Sequence, residues 1–202
     1  MDREELNTLI QRLNPWYYPV QIGGIPVTPG VGARQTSLEL TEATTYRTKL
    51  LVDAVLPHYS FTGKRVLDVA SNCAYFSARY VEHGASSLVA IEGRAEYVKQ
   101  GQLYWSANQF LPDDKYRFVQ GDVTAKTTWR TIQKHTPVDF ALCCGILYHI
   151  ADHERLLRRI HAVTREAVLI DTRVAPVGSR KAAGFKEEGG WNWDALPDND
   201  RV

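Results

Sequence analysis

The chain has 202 residues, 44% of them hydrophobic and 23% charged, the composition of an ordinary globular domain with a few appendages. Lys+Arg 24 against Asp+Glu 23 leaves a formal net charge of +1, without the basic excess that a nucleic-acid binder usually carries. Three cysteines make no disulfide framework, and neither an apolar leader nor a run near the roughly 18 residues of a membrane span is present, so a cytoplasmic protein without membrane contact is expected.

Leu6, Leu9, Ile10 and Leu13 recur at helical spacing, and Asn14-Pro15 ends that first helix. Residues 16 to 32 are rich in Gly, Pro and aromatics and are expected to form no regular element. Trp16, Tyr17 and Tyr18 within them read as a lid over a substrate or as packing that closes a sheet edge. A second helix is predicted from about Thr41 to Leu56, carrying Tyr46, Leu50, Leu51 and Val55 inward. From residue 64 strands and helices alternate. The strands are Arg65–Val69, Leu88–Ile91, Tyr116–Gln120, Val138–Cys144 and Ala167–Thr172; the helices are Tyr75–His83, Ala95–Gln109, Thr128–His135 and Asp152–Val163. Such alternation predicts a mostly parallel sheet with helices on both faces. The expected organisation is an N-terminal helical cap and loop over 1–60, a binding domain over 61–173 and an irregular tail over 174–202. In that tail, Trp191 and Trp193 are expected to pack on the exposed fifth strand or to meet a partner subunit. An uncovered strand edge invites pairing, so a homodimer is a reasonable expectation.

The chemistry is concentrated around Val66-Leu67-Asp68-Val69-Ala70-Ser71-Asn72-Cys73-Ala74-Tyr75-Phe76. Apolar positions bracket one carboxylate, and small residues then turn the chain into an amphipathic run that Gly84 stops. A buried strand delivers an acid and a tight turn in this way to the edge of a parallel sheet, where α/β folds bind ligands. Glu92 ends the next apolar run, 24 residues after Asp68, close to the spacing at which a second acid grips ribose hydroxyls. A dinucleotide site would need glycines where Ala70, Asn72 and Ala74 stand, because backbone must approach a pyrophosphate. No Walker lysine follows the first strand either. A nucleoside cofactor without phosphate fits better.

At these residues the chain resembles class I S-adenosylmethionine-dependent methyltransferases over roughly 40–173. The resemblance implies a three-layer, Rossmann-like α/β fold with strand order 3-2-1-4-5 and S-adenosylmethionine as cofactor. It implies that Asp68, Ala70, Ser71 and Asn72 border the cofactor's methionine end, and that Glu92 and Gly93 meet its ribose. Asp122 and Val123, in Gly121-Asp122-Val123, would meet the adenine, and Cys144 and Gly145 would lie near the methyl group. The string Gly145-Ile146-Leu147-Tyr148-His149, with the helix through Gln100 and Asn108 and the upstream Pro19–Gly30 loop, is similar to the small relatives of the tRNA wobble-uridine (mo5U/cmo5U) carboxymethyltransferase group. The family's usual helix and antiparallel hairpin after the fifth strand have no counterpart in the tail.

Each assignment has a plainer counterpart. Asp68 and Glu92 also suit strand-end caps, and Asp122 suits simple turn chemistry. His149 is placed to take a proton from a nucleophile, a task that suits histidine because the residue type's ordinary pKa lies near working pH, or to orient its loop. Tyr148 beside it is a candidate for shaping the pocket, and Tyr17, Tyr18 and Tyr75 are candidates for touching substrate. His149 and His153 stand four residues apart, but no third metal ligand has a natural place nearby, so no metal is expected. Cys143 and Cys144 read as core residues. The function expected is methyl transfer to an O, N or C atom of a small metabolite. The alternatives are a tRNA wobble-uridine modifying (carboxy)methyltransferase and a non-catalytic methyltransferase-like subunit.

Overall fold

A computed structural model describes residues 2–30 and 36–173. Helix α1 (Arg3–Arg12) starts on a capping box, in which the Asp2 carboxylate accepts from the Glu4 and Glu5 N–H groups and Glu5 accepts from the Asp2 N–H. It buries Leu6 and Ile10. The aromatic segment that follows is not irregular throughout. Val20–Ile22 (β1) and Ile25–Val27 (β2) pair antiparallel around Gly23 and Gly24, whose φ values of +54° and +78° meet the positive-φ demand of a two-residue hairpin turn. Pro26 stands on the exposed side of this two-stranded ribbon, where a missing N–H is tolerated.

Helix α2 (Ser37–Thr48) begins four residues earlier than predicted, because Thr36 and Glu39 form a second capping box. It continues as a π-helical turn over Lys49–Asp53. Leu40, Thr44, Leu51 and Val52 face inward. Tyr46 and Leu50, expected inward, are 63% and 47% exposed. Tyr46 lies six residues from Leu40, about 120° round a 3.6-residue helix from the inward face, and the π turn shifts the register that would have carried Leu50 in.

The main sheet comprises β3 (Arg65–Val69), β4 (Ser87–Glu92), β5 (Tyr116–Gln120), β6 (Val138–Cys144) and β7 (Thr164–Asp171). Its order is β5-β4-β3-β6-β7 with every pair parallel, the predicted 3-2-1-4-5 arrangement. Helices α3 (Tyr75–Glu82), α4 (Ala95–Asn108), α5 (Lys126–Ile132) and α6 (His153–Val163) supply the crossovers. The last strand starts three residues before the predicted Ala167, directly at the end of α6.

Side-chain alternation divides the core into two apolar clusters. Val66, Leu88, Ala90, Phe140 and Leu142 face α1, the hairpin, α3 and α4, where Trp16 and Trp105 are buried. Leu67, Val69, Val89, Ile91 and Ala141 face α5 and α6. Trp191, Trp193 and the proposed tail lie outside the described residues. Among the described residues no helix is long and apolar enough to cross a membrane.

Candidate functional site

Strand register sets the geometry. Asp68 pairs with Ala90 on the neighbouring strand, and Glu92 lies two residues beyond Ala90, so both acids project from one face of the sheet at its carboxyl edge. Both are shut off from solvent, at 3% and 4% exposure. The Ser77 hydroxyl, in the first turn of α3, donates to Asp68 Oδ2 at 2.6 Å. Burial pushes the Asp68 carboxyl up to about 7; Ser77 and Arg47 pull against that shift and the Glu92 charge adds to it.

Between the acids runs a turn with an unusual backbone. Ala70, Asn72 and Ala74 all have left-handed φ values, of +61°, +53° and +57°. The chain holds a left-handed conformation at all three positions without a glycine at any of them. Such conformations cost about 1–2 kcal/mol for residues with a Cβ, and they gather at functional sites where surrounding contacts enforce them. The enforcing contacts here are hydrogen bonds. Ser71 N–H donates to the Ile91 carbonyl at 2.9 Å, Asn72 Oδ1 accepts from Cys73 N–H at 2.7 Å, and Asn72 N–H donates to Glu92 Oε2 at 2.8 Å. Glu92 Oε1 accepts from the Arg94 backbone N–H at 2.9 Å and from its Nε at 3.3 Å, and the Arg94 guanidinium lies 4.0 Å over the Tyr97 ring. Gly93 fills the bend between them.

Asp122, also buried, spends each carboxylate oxygen on Thr124: Oδ1 accepts from its N–H at 2.7 Å and Oδ2 from its hydroxyl at 2.8 Å. The Val123 carbonyl accepts from Trp129 Nε1 at 2.7 Å, which pins this turn to α5. Beyond β6, half-buried Cys144 leads into Gly145, with φ +72° and its N–H on the Asp171 carbonyl at 2.8 Å. Burial pushes the Cys143 thiol up to about 12 and raises the Cys144 thiol as well, so neither is a ready nucleophile. A 3-10 turn over Leu147–His149 then presents Tyr148 and His149, whose rings lie 4.1 Å apart. Among the described residues no three His, Cys, Asp or Glu side chains gather as a metal site.

The aromatic candidates split. Tyr18 is buried, stacks on half-buried Tyr75 with centroids 5.0 Å apart, and meets Phe76 edge-on. Tyr17 packs edge-on against Tyr18 but stays 38% exposed. Two residues that sequence reading passed over also stand here. Ser77 follows Asp68 by nine residues, across the turn from β3 into α3, so its hydroxyl meets the acid only once that turn has formed. Arg47 of α2 reaches Asp171 Oδ2 at 2.6 Å, across 124 residues of chain, and its guanidinium lies 5.1 Å over the Phe76 ring.

A separate cleft of about 740 Å³ opens between α1, α4 and the edge strand β5, lined by Leu9, Leu13, Lys99, Leu103, Arg117 and Phe118. It contains none of the residues above.

No family model and no curated protein matches the chain. Solved structures do. The N-terminal domain of EvdMO1, crystallised with S-adenosylhomocysteine bound, is 20% identical with a TM-score of 0.63, over 83% of this chain and 65% of that one. The bifunctional kinase-methyltransferase WbdD is 19% identical with a TM-score of 0.52, over 88% of this chain and 37% of that one. The [4+2]-cyclase SpnF is 15% identical with a TM-score of 0.52, over 79% of this chain and 53% of that one. The chain spans less than two thirds of the length of each. What is shared at such identities is the fold, and a cyclase among these structures illustrates that one fold hosts several reactions. The chain has the three-layer, Rossmann-like fold of S-adenosylmethionine-dependent methyltransferases.

Proposed function

We propose that this chain binds S-adenosylmethionine at the carboxyl edge of β3 and β4 and transfers its methyl group to an O, N or C nucleophile of a small metabolite. One observation carries the reading: two buried acids on one face of neighbouring parallel strands, joined by a turn that holds three left-handed residues in a row of alternate positions.

The residues present fit such a ligand. A carboxylate offers about four acceptor sites, and Glu92 fills three with N–H donors. The Arg94 Nε bond, at 3.3 Å, is the longest of the three, and releasing it leaves room for both ribose hydroxyls. Asp122 fills two sites and keeps two for an adenine amino group. Ala70 and Ser71 bring backbone close to the amino-acid end, while Gly93, Val123, Cys144 and Gly145 complete the walls.

When bound, the cofactor supplies a methyl group already activated on a sulfonium. The chain's residues position and desolvate. Alignment of the reacting atoms supplies several kcal/mol of barrier reduction. Asp68 favours a cationic ligand by giving up its proton beside it. His149 takes the proton from the nucleophile, and Tyr148 holds the acceptor against it. Tyr17 closes over the acceptor, with Tyr18 and Tyr75 as the wall behind it. Because the acids are sealed in this form, ligand entry requires side chains at this edge of the sheet to move.

The tRNA reading draws less support. Arg155 and Arg158 on α6 are paired with Asp152 and Glu154, so that helix presents no continuous cationic stripe.

Calorimetry with S-adenosylmethionine and S-adenosylhomocysteine tests the proposal. Glu92→Ala should weaken both ligands more than tenfold, and His149→Ala should lower turnover far more than affinity. No binding at millimolar ligand would overturn cofactor use and favour a non-catalytic subunit.

A further inference from the structure

Arg47 enters the site from outside the βα core. A side-chain carbon on Gly145 would stand 3.6 Å from the Tyr148 hydroxyl and 3.7 Å from Arg47 Nη2, so these two donors converge over the same backbone at the end of β6. The guanidinium is fixed from two sides, by the 2.6 Å ion pair with Asp171 and by the Phe76 ring. That ion pair uses Nη2; Nε and Nη1 have no hydrogen-bond partner among the described residues, and the side chain is 25% exposed. Arg173 adds a second cation, 5.2 Å over the other ring, that of Tyr148. Two guanidiniums thus flank one tyrosine, against the single carboxylate of Asp171 and the buried Asp68 beneath.

A planar guanidinium held in place with spare N–H donors is the group that receives a carboxylate in two-point geometry. We propose that Arg47, with the Tyr148 hydroxyl as a second donor, is the anion receptor of this cleft and takes a carboxylate. This deepens the methyltransfer reading and rests on it. The carboxylate has two chemical sources, the amino-acid tail of the cofactor or an acidic group on the acceptor. In the second case the acceptor is an organic acid and Arg47 selects it.

The experiment compares S-adenosylhomocysteine with 5′-methylthioadenosine, which keeps the nucleoside and thioether but lacks the amino-acid tail. Both are titrated into wild type, Arg47→Lys and Arg47→Gln by calorimetry. If the tail is the source, Arg47→Gln weakens S-adenosylhomocysteine more than tenfold and leaves methylthioadenosine unchanged. Arg47→Lys falls between, since it keeps the charge and loses the fork. If the acceptor is the source, neither nucleoside is affected. The Arg47 Nε–Hε NMR resonance of the S-adenosylhomocysteine complex, identified by its loss in Arg47→Gln, then shifts saturably with added acetate. Unchanged nucleoside affinity together with no saturable acetate shift would overturn the proposal. Retained methylthioadenosine binding shows that the variants are folded. Failure of both nucleosides to bind wild type would instead remove the cofactor reading itself.

Discussion

Asp68 is a carboxyl group held where its neutral form is favoured, and that has a consequence for stability. Its folded pKa of about 7 lies above the ordinary 3.8, so between those values the folded chain binds more protons than the unfolded one. Stability contributed by this group therefore falls as pH rises from about 4 to about 7, by at most about 1.4 kcal/mol per pH unit for one proton, and is level outside that window. Urea unfolding at pH 5, 6, 7 and 8 should show that decline in wild type and a flatter profile in Asp68→Asn. A cationic ligand beside the group reverses its shift, so affinity for S-adenosylmethionine should rise with pH through 7 in wild type only. Ala70 makes a second residue-scale case. At φ +61° and half-buried, it bears a left-handed penalty that glycine escapes. Ala70→Gly should raise stability by about 1 kcal/mol, read as a higher urea midpoint, and Ala70→Val should lower it by more.

Among the elements, α2 matters because it delivers Arg47. Its N-terminus depends on Thr36, whose hydroxyl accepts from Glu39 N–H at 3.2 Å while Glu39 accepts from Thr36 N–H at 2.6 Å. Thr36→Ala should cost about 1 kcal/mol in urea unfolding, and Thr36→Ser should restore most of it. This cap was legible from residue types, yet the apolar pattern drew the helix start to Thr41. Strands β3, β4 and β6 were plain in the sequence because each is a mostly apolar run set among helical segments. The β1–β2 hairpin was not, because three-residue strands carrying Pro26 give no usable period. Asp68 and Glu92 could be read as acids closing apolar strands. Arg47 could not, since its partner Asp171 is 124 residues away and nothing local marks the contact. The same limit applies to Tyr18: its residue type suggested substrate contact, and only the fold reveals that Tyr75 and Phe76 bury it.

At the scale of the molecule, the N-terminal segment is tied into the sheet's own core. Trp16 is 1% exposed, shares an apolar cluster with Tyr80, Tyr104 and Phe140, and donates through Nε1 to the Ile10 carbonyl at 3.1 Å. Gln100 of α4 donates through Nε2 to the Leu13 and Pro15 carbonyls at 2.6 and 2.9 Å, and Asn108 donates to the Gln21 carbonyl at 2.8 Å. These side chain-to-backbone bonds, part-buried at Gln100 and exposed at Asn108, together with the shared apolar cluster tie α1 and the hairpin to α4. The first 30 residues should then unfold with the parallel sheet. Trp16→Ala should cost about 3–5 kcal/mol, as expected for a fully buried aromatic. Circular dichroism of the whole chain and the fluorescence difference between wild type and Trp16→Phe should give the same urea midpoint. An earlier midpoint for the Trp16 signal would show the N-terminal segment detaching first. It would also mean that Tyr17 and Tyr18, which follow Trp16 directly, leave their packing on Tyr75 and Phe76 by local unfolding and not by a motion of the intact fold.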